Sequence, residues 1–210
     1  MYFEVFENNC HKFDDHGTEI NKGDVVLDAG CCEGYFAIKA INEGAEKVYC
    51  FEPGRHVYKC LELTFEESIK NGKVIVKDQL LGEIETKLMF EVNSHDPTVG
   101  HIHPFDYPNN ENCYAVSMTT IDNFCEVNRL QQLDYIKADV EGAELQLLEG
   151  ATKSIARFLP KIAIATYHCP SHAKQLREVV ESIDSGYKFK LQGLIGFDGS
   201  VRPVMLHCFR

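Results

Sequence analysis

A single α/β domain with a mostly parallel sheet and helices on both faces is the fold that these 210 residues predict, and three observations carry the prediction. Short apolar runs rich in strand formers alternate with stretches of helical periodicity, the turns between them carry glycine, and the length suits one well-buried core rather than two. With 44% apolar and 25% charged residues, the composition excludes a disordered chain, a collagen-like repeat and a coiled coil.

Each element follows in order. Residues 1–22 form an N-terminal lead, and Val25-Val26-Leu27 reads as the first strand. Phe36, Ala37, Ala40 and Ile41 recur at helical spacing and end at Gly44, and Lys47-Val48-Tyr49-Cys50-Phe51 completes a βαβ unit. Val57, Leu61, Leu63 and Phe65 suit a second helix, broken by Asn71-Gly72 before the strand Val74-Ile75-Val76. Leu88-Met89-Phe90-Glu91-Val92 and Tyr114-Ala115-Val116-Ser117-Met118 look like strands flanking a polar segment, residues 93–113, with Asp96-Pro97, Pro104, Pro108 and Asn109-Asn110. A loop of about twenty residues inside a compact domain is unusual and often functional, so 93–113 is a candidate lid or substrate loop. Asp134-Tyr135-Ile136 leads into a helix marked by Ala143, Leu145, Leu147 and Leu148 that stops near Gly150. Ile162-Ala163-Ile164-Ala165 is another buried strand, and Leu176, Val179, Val180 and Ile183 mark the next helix, closed by Gly186. The runs 187–191 and 204–209, separated by Gly193, Gly196 and Asp198-Gly199, read as a closing antiparallel pair.

Charge and cysteine usage narrow the partners. A formal charge of −11 repels phosphate backbones, so a broad nucleic-acid footprint is not expected. No apolar run approaches the ~20 residues of a membrane span. The nine cysteines are odd in number, contain no Cys-x-x-Cys, and follow a start, Met1-Tyr2-Phe3-Glu4, without a basic and then apolar leader. They read as reduced, mostly buried thiols in a cytoplasmic protein.

Open parallel sheets bind ligands beyond the carboxyl ends of their strands. The first such turn is Asp28-Ala29-Gly30-Cys31-Cys32-Glu33-Gly34. Gly30 lets the backbone turn tightly beside a ligand, and Gly34 opens the next helix. Cys31, Cys32 and Glu33 stand between those glycines where a dinucleotide loop needs a middle glycine, and acids stand at Asp28 and Glu33. That chemistry suits a cofactor with a cationic centre and no pyrophosphate, properties that S-adenosylmethionine has. Glu52 ends the second strand 24 positions after Asp28, where an acid accepts hydrogen bonds from ribose hydroxyls, and Pro53 stops the strand. The third turn is Lys137-Ala138-Asp139-Val140-Glu141-Gly142-Ala143-Glu144. Its acids read two ways: Asp139 or Glu141 as a helix cap with Glu144 completing a capping box, or as functional carboxylates at a buried sheet edge.

Five motifs in one order then carry a resemblance. Val26-Leu27-Asp28-Ala29-Gly30 through Gly34-Tyr35-Phe36, Phe51-Glu52-Pro53, Thr119-Thr120-Ile121-Asp122, Lys137-x-Asp139-x-Glu141-Gly142-x-Glu144 and Leu148-Glu149-Gly150-Ala151 together resemble the FkbM-type S-adenosylmethionine-dependent methyltransferases, over about residues 25–193. The resemblance implies a Rossmann-like class I methyltransferase fold with a seven-stranded sheet. It also implies O-methylation of a hydroxyl on a sugar, polyketide or related small molecule. Asp28, Gly30, Cys31, Gly34 and Phe36 would then form the first cofactor loop and its helix, Glu52 with Pro53 would hold the ribose, Asp78 and Gln79 would border the adenine, and Asp139 would sit near the methyl group. The chain departs from the family pattern at Cys31-Cys32 and at Thr166-Tyr167-His168, where many members carry Glu-x-His.

A hydroxyl nucleophile must lose a proton, and His168 is the first candidate base, on an unperturbed pKa of ~6.5; Asp139 and Glu141 complete the expected catalytic set. No metal is expected: His95, His101 and His103 lie in a segment without an anchored scaffold. Two other classes remain open, a catalytically silent cofactor-binding domain of methyltransferase descent and a nucleotide-linked oxidoreductase. Residues 93–113, with His101, His103, Phe105 and Tyr107, are expected to shape a pocket that suits sugars, phenols and peptide side chains alike. The oligomeric state is left open.

Overall fold

The computed structural model describes residues 13, 15, 17–96, 98, 100–197 and 199–210; most of the N-terminal lead, Cys10, Pro97 and Asp198 lie outside them. The chain begins with β1 (Val25–Ala29), α1 (Tyr35–Asn42), β2 (Lys47–Phe51), α2 (Arg55–Thr64), α3 (Glu66–Lys70) and β3 (Val74–Lys77). It continues through β4 (Gln79–Leu81), β5 (Thr86–Val92), β6 (Gly100–His103), β7 (Cys113–Thr119), α4 (Ile121–Val127) and β8 (Tyr135–Ala138). It closes with α5 (Glu144–Glu149), α6 (Thr152–Phe158), β9 (Lys161–Ala165), α7 (His172–Ile183), β10 (Lys188–Phe197) and β11 (Ser200–Phe209).

The main sheet has seven strands in the order β10-β11-β9-β8-β1-β2-β3. It is mixed: the four pairings among β1, β2, β3, β8 and β9 are parallel, and β11 runs antiparallel to both β9 and β10. All five residues of β1 are buried, as expected of a strand covered on both faces. Side-chain alternation sorts them into two cores. Leu27, Ala29, Tyr49, Phe51, Ile136 and Ile164 pack with α4, α5, α6 and α7, while Val26, Val48, Cys50, Tyr135 and Ala163 pack with α1 and α2. Among the described residues no helix is long and apolar enough to cross a membrane.

A second sheet was not expected. It has four strands in the order β4-β7-β5-β6, and β6 runs through the middle of 93–113, pairing antiparallel with β5 from Met89↔His103 to Val92↔Gly100. The polar stretch is therefore partly sheet rather than loop throughout. The predicted second helix also divides, at Phe65, into α2 and α3.

Two of the motifs turn out to be joints. Thr120 caps α4 by accepting from the Asn123 amide at 2.9 Å, and Asp122 caps α6 by accepting from the amides of Lys153 (3.0 Å) and Ser154 (2.7 Å). At Gly150 a β-carbon would lie 2.0 Å from the carbonyl oxygen of Gly82, so only glycine lets the end of α5 rest on the turn after β4.

Candidate active site

The carboxyl ends of β1, β2 and β8 open onto one cavity of about 670 Å³, closed on the far side by residues of the second sheet. That volume lies within the range of small-molecule sites. Of the residues expected to bind a cofactor, Gly30, Glu52, Pro53 and Gln79 line it, and so does Cys32. Of the expected catalytic residues, Asp139 and Glu141 line it.

Gly30 sits at φ 68, and a β-carbon there would lie 1.9 Å from the Asp139 carbonyl oxygen. The first loop thus rests directly on the third, backbone against backbone. The chain also turns left-handed at Cys32 (φ 47), which delivers the Cys32 amide to Glu52 Oε2 at 3.1 Å; the Gly54 amide donates to Oε1 at 2.8 Å. Burial pushes the Glu52 carboxyl up to about 7, the two amides and Lys137 offsetting part of that rise.

Five expected cofactor residues are not among those lining the cavity. Asp28 falls on the same face of β1 as Val26, directly opposite Lys137 of β8. Both side chains are fully buried and meet at 3.0 Å. The Lys137 ammonium also donates to the carbonyls of Gly30 (2.6 Å) and Ala29 (3.3 Å). Burial opposes its charge, but Asp28, and Asp139 beyond it, hold the lysine above its ordinary pKa. The acid expected to face a cationic cofactor therefore already has a cation of its own. Cys31 is buried in the core below the loop, and Phe36 packs on Phe13 and Tyr135. A β-carbon at Gly34 would lie 2.6 Å from the Phe65 ring, so that glycine serves helix packing. Asp78 stands beside Gln79 without reaching the wall.

Behind the carboxylates lies a cluster that only the fold assembles. Glu141 (φ 55) and Gly142 (φ 102) make a left-handed turn that points the Glu141 carboxylate back toward His168, at 3.5 Å from Nε2. Asp139 Oδ1 is 3.7 Å from the same nitrogen. On the other side of the ring, Nδ1 lies 2.9 Å from Glu144 Oε1, and Glu144 Oε2 is 3.2 Å from His172 Nδ1. Glu144 also holds the turn that precedes α5, accepting from the amides of Val140 (3.0 Å) and Gly142 (3.4 Å). Burial alone raises its pKa, but His168 and His172 pull it down to about 2. For His168 the balance runs the other way: burial lowers its pKa, and Glu141, Glu144 and Asp139 together raise it to about 10. The imidazole therefore carries its proton at neutral pH, whereas the expectation that it acts as a base assumed a free one.

Arg202 fixes the loop that carries this histidine, donating to the carbonyls of Tyr167 (2.8 Å) and His168 (3.4 Å). Thr166 is buried and donates its hydroxyl to the Pro203 carbonyl at 2.7 Å. His172 escaped the sequence reading, although it stands four residues after His168 at the start of α7.

Among solved structures, the FkbM methyltransferase of Methylobacillus flagellatus matches with a TM-score of 0.65 and 21% identity over 99% of this chain and 48% of its own, so the present chain spans about half of that protein. A Streptococcus mutans protein in complex with SAH matches with a TM-score of 0.51 at 12% identity, covering 96% of this chain and 95% of that one. The O-methyltransferase from Bacillus cereus, also in complex with SAH, matches at 0.50 and 8% identity over 89% and 74%. At such identities the likeness is one of fold, a methyltransferase-like α/β fold. No curated protein matches the sequence. The sequence does match the Methyltransferase FkbM domain over residues 19–191, a span that contains the carboxyl ends of β1, β2 and β8 and the cluster of Asp139, Glu141, Glu144, His168 and His172. The chain belongs to the FkbM methyltransferase family.

Proposed function

We propose that this domain transfers a methyl group from S-adenosylmethionine to a hydroxyl oxygen of a small-molecule or saccharide acceptor. The observation that carries the reading is a single cavity walled both by Glu52 and by the Asp139–Glu141 pair. In this reading Glu52 accepts from ribose hydroxyls, with Pro53 and Gln79 flanking the base; that two proteins of the same fold were crystallised in complex with SAH supports the cofactor. Bound here, S-adenosylmethionine supplies an electrophilic methyl group on a sulfonium. The chain's own share is alignment, which contributes up to ~7–11 kcal/mol in favourable cases, together with the negative charge that Asp139 and Glu141 hold at the wall. Leu88, Phe90, Ile102 and Met118 of the second sheet give the cavity an apolar side, broken by Thr98 and His101. That lining favours an acceptor with an apolar face next to its hydroxyl. In this reading β6, within 93–113, shapes the acceptor's space, and the whole serves as one domain.

Calorimetric titration with S-adenosylmethionine and with NADH tests the cofactor, and a screen of hydroxyl acceptors with labelled methyl donor tests the reaction. Saturable binding of the first, none of NADH, and label in an acceptor are expected. Failure to bind S-adenosylmethionine or SAH overturns the proposal; tight binding with no transfer to any hydroxyl acceptor leaves a silent domain.

A further inference from the structure

The cluster behind the cavity wall is not satisfied by its own groups. Both ring nitrogens of His168, Glu144 Oε2 and His172 Nδ1 are buried and make no hydrogen bond of good geometry among the described residues, even though carboxylate oxygens or ring nitrogens lie 2.9–3.7 Å away. The His168 side chain is 9% exposed, and its Nε2 points into the gap between Asp139 and Glu141. Buried polar atoms left this way are costly, and an ion is one of the things that resolves them.

The spacing suits a cation. Asp139, Glu144 and His168 form the one group of three or more potential ligand residues among the described residues whose ligand atoms lie within 4.8 Å of one another. The distances from Nε2 to the two outer carboxylates, 3.5 and 3.7 Å, compare with roughly 3.4 Å between ligand atoms around a tetrahedral ion with ~2.1 Å bonds. Glu144 Oε1 already accepts two backbone amides, which places Glu144 behind the histidine as the carboxylate that fixes a ligating imidazole. Glu141 is half-exposed, so its carboxylate has room to swing the remaining distance.

We propose that Asp139, Glu141 and His168 form a binding site for a divalent ion, the Nε2 proton leaving to solvent as the ion binds, with Glu144 beside Nδ1 and His172 against Glu144. An imidazole with two carboxylates suits Mn²⁺ or Zn²⁺ better than Ca²⁺ or Mg²⁺, which take oxygen ligands. Asp139 and Glu141 line the cavity, so the open coordination positions of the ion face the acceptor, where it acts as a Lewis acid on a hydroxyl. The sequence shows no ligand spacing here because Glu141 and His168 are 27 positions apart on different strand ends.

The test is titration of the chelator-treated protein with MnCl₂ and, separately, ZnCl₂, followed by calorimetry and, for Mn²⁺, by loss of the free-ion paramagnetic resonance signal. Saturation at one ion per chain is expected for at least one of the two. Glu141→Gln, at an exposed position that spares folding, and His168→Ala each weaken it at least tenfold, and Glu144→Gln weakens it about tenfold; Glu67→Gln, on the outer face of α3, leaves it unchanged. Absence of saturable binding of either ion overturns the proposal, as does binding that Glu141→Gln and His168→Ala leave unaltered. Neither readout depends on S-adenosylmethionine or on turnover, so failure here is separable from failure of the methyltransferase reading.

Discussion

Glu52 carries opposing demands at one carboxyl group: burial favours its neutral form, whereas a ribose is better held by the anion. With its pKa raised from 4.5 to about 7, the stability that the neutral form contributes is complete below pH 4.5 and is lost as pH rises through 7. The stability difference between wild type and Glu52→Gln, measured by denaturant titration, should shift against the wild type by on the order of 3 kcal/mol over that interval. Cofactor affinity should change in the opposite direction. It rises as pH increases through about 7 and levels off above, while Glu52→Gln binds about tenfold more weakly at pH 8 with a flat pH profile; calorimetry at pH 6, 7 and 8 checks both. The buried pair of Asp28 and Lys137 makes a second prediction. Asp28→Asn leaves a buried ammonium without its counter-charge and should cost about 3–5 kcal/mol, whereas Asp28→Asn combined with Lys137→Met should recover most of it in a thermal or denaturant double-mutant cycle. Glu52 lines the cavity at the strand end where the sequence puts it, because a strand end before Pro53 fixes where its side chain emerges. The sequence reading misplaced Asp28 because the glycine turn drew attention from the strand's own alternation, which groups Asp28 with Val26 and opposes it to Lys137.

Elements, rather than single residues, decide how the cavity wall is held. Asp122 sits in α4 yet caps α6, tying two short helices of seven residues each. Asp122→Ala should cost about 1 kcal/mol, seen as a lower urea midpoint with cofactor affinity unchanged. β1, β2, β9, α1 and α7 were legible, since each declares itself by an apolar run or by helical period. The short ones were not. β4 has three residues and β6 four, and the run Gly100-His101-Ile102-His103 has one strongly apolar side chain. What makes β6 a strand is its pairing with β5, a non-local contact that no window of sequence contains. The same holds for the cluster: Glu144, His168 and His172 come from α5, the turn after β9 and α7, and nothing short of the crossover between them brings them together.

For the molecule as a whole, a ligand that binds the folded state alone should stabilise it by mass action. SAH at a hundred times its Kd should add about 2.7 kcal/mol, visible as a rise in Tm, and at that same concentration Glu52→Gln should keep only about half of the gain, which scanning fluorimetry will show. The formal charge of −11 also acquires a layout: Glu52, Asp139 and Glu141 gather part of it on the wall of the cavity at the carboxyl ends of the main-sheet strands, and Glu144 is buried behind them.

The contact between Gly30 and the Asp139 carbonyl has a metric consequence. Lys137 clamps the Gly30 carbonyl at 2.6 Å, and the absence of a side chain on Gly30 lets the two loops touch, so the span from Glu52 to Asp139 is set by that backbone contact, the buried Asp28–Lys137 pair and the Cys32 amide that donates to Glu52. A span fixed in that way works as a calliper. In the proposed reaction it would select ligands by the distance between their sugar and their reacting atom, before any motion of the outer segments, and would admit donor and spent donor alike because both have the same frame.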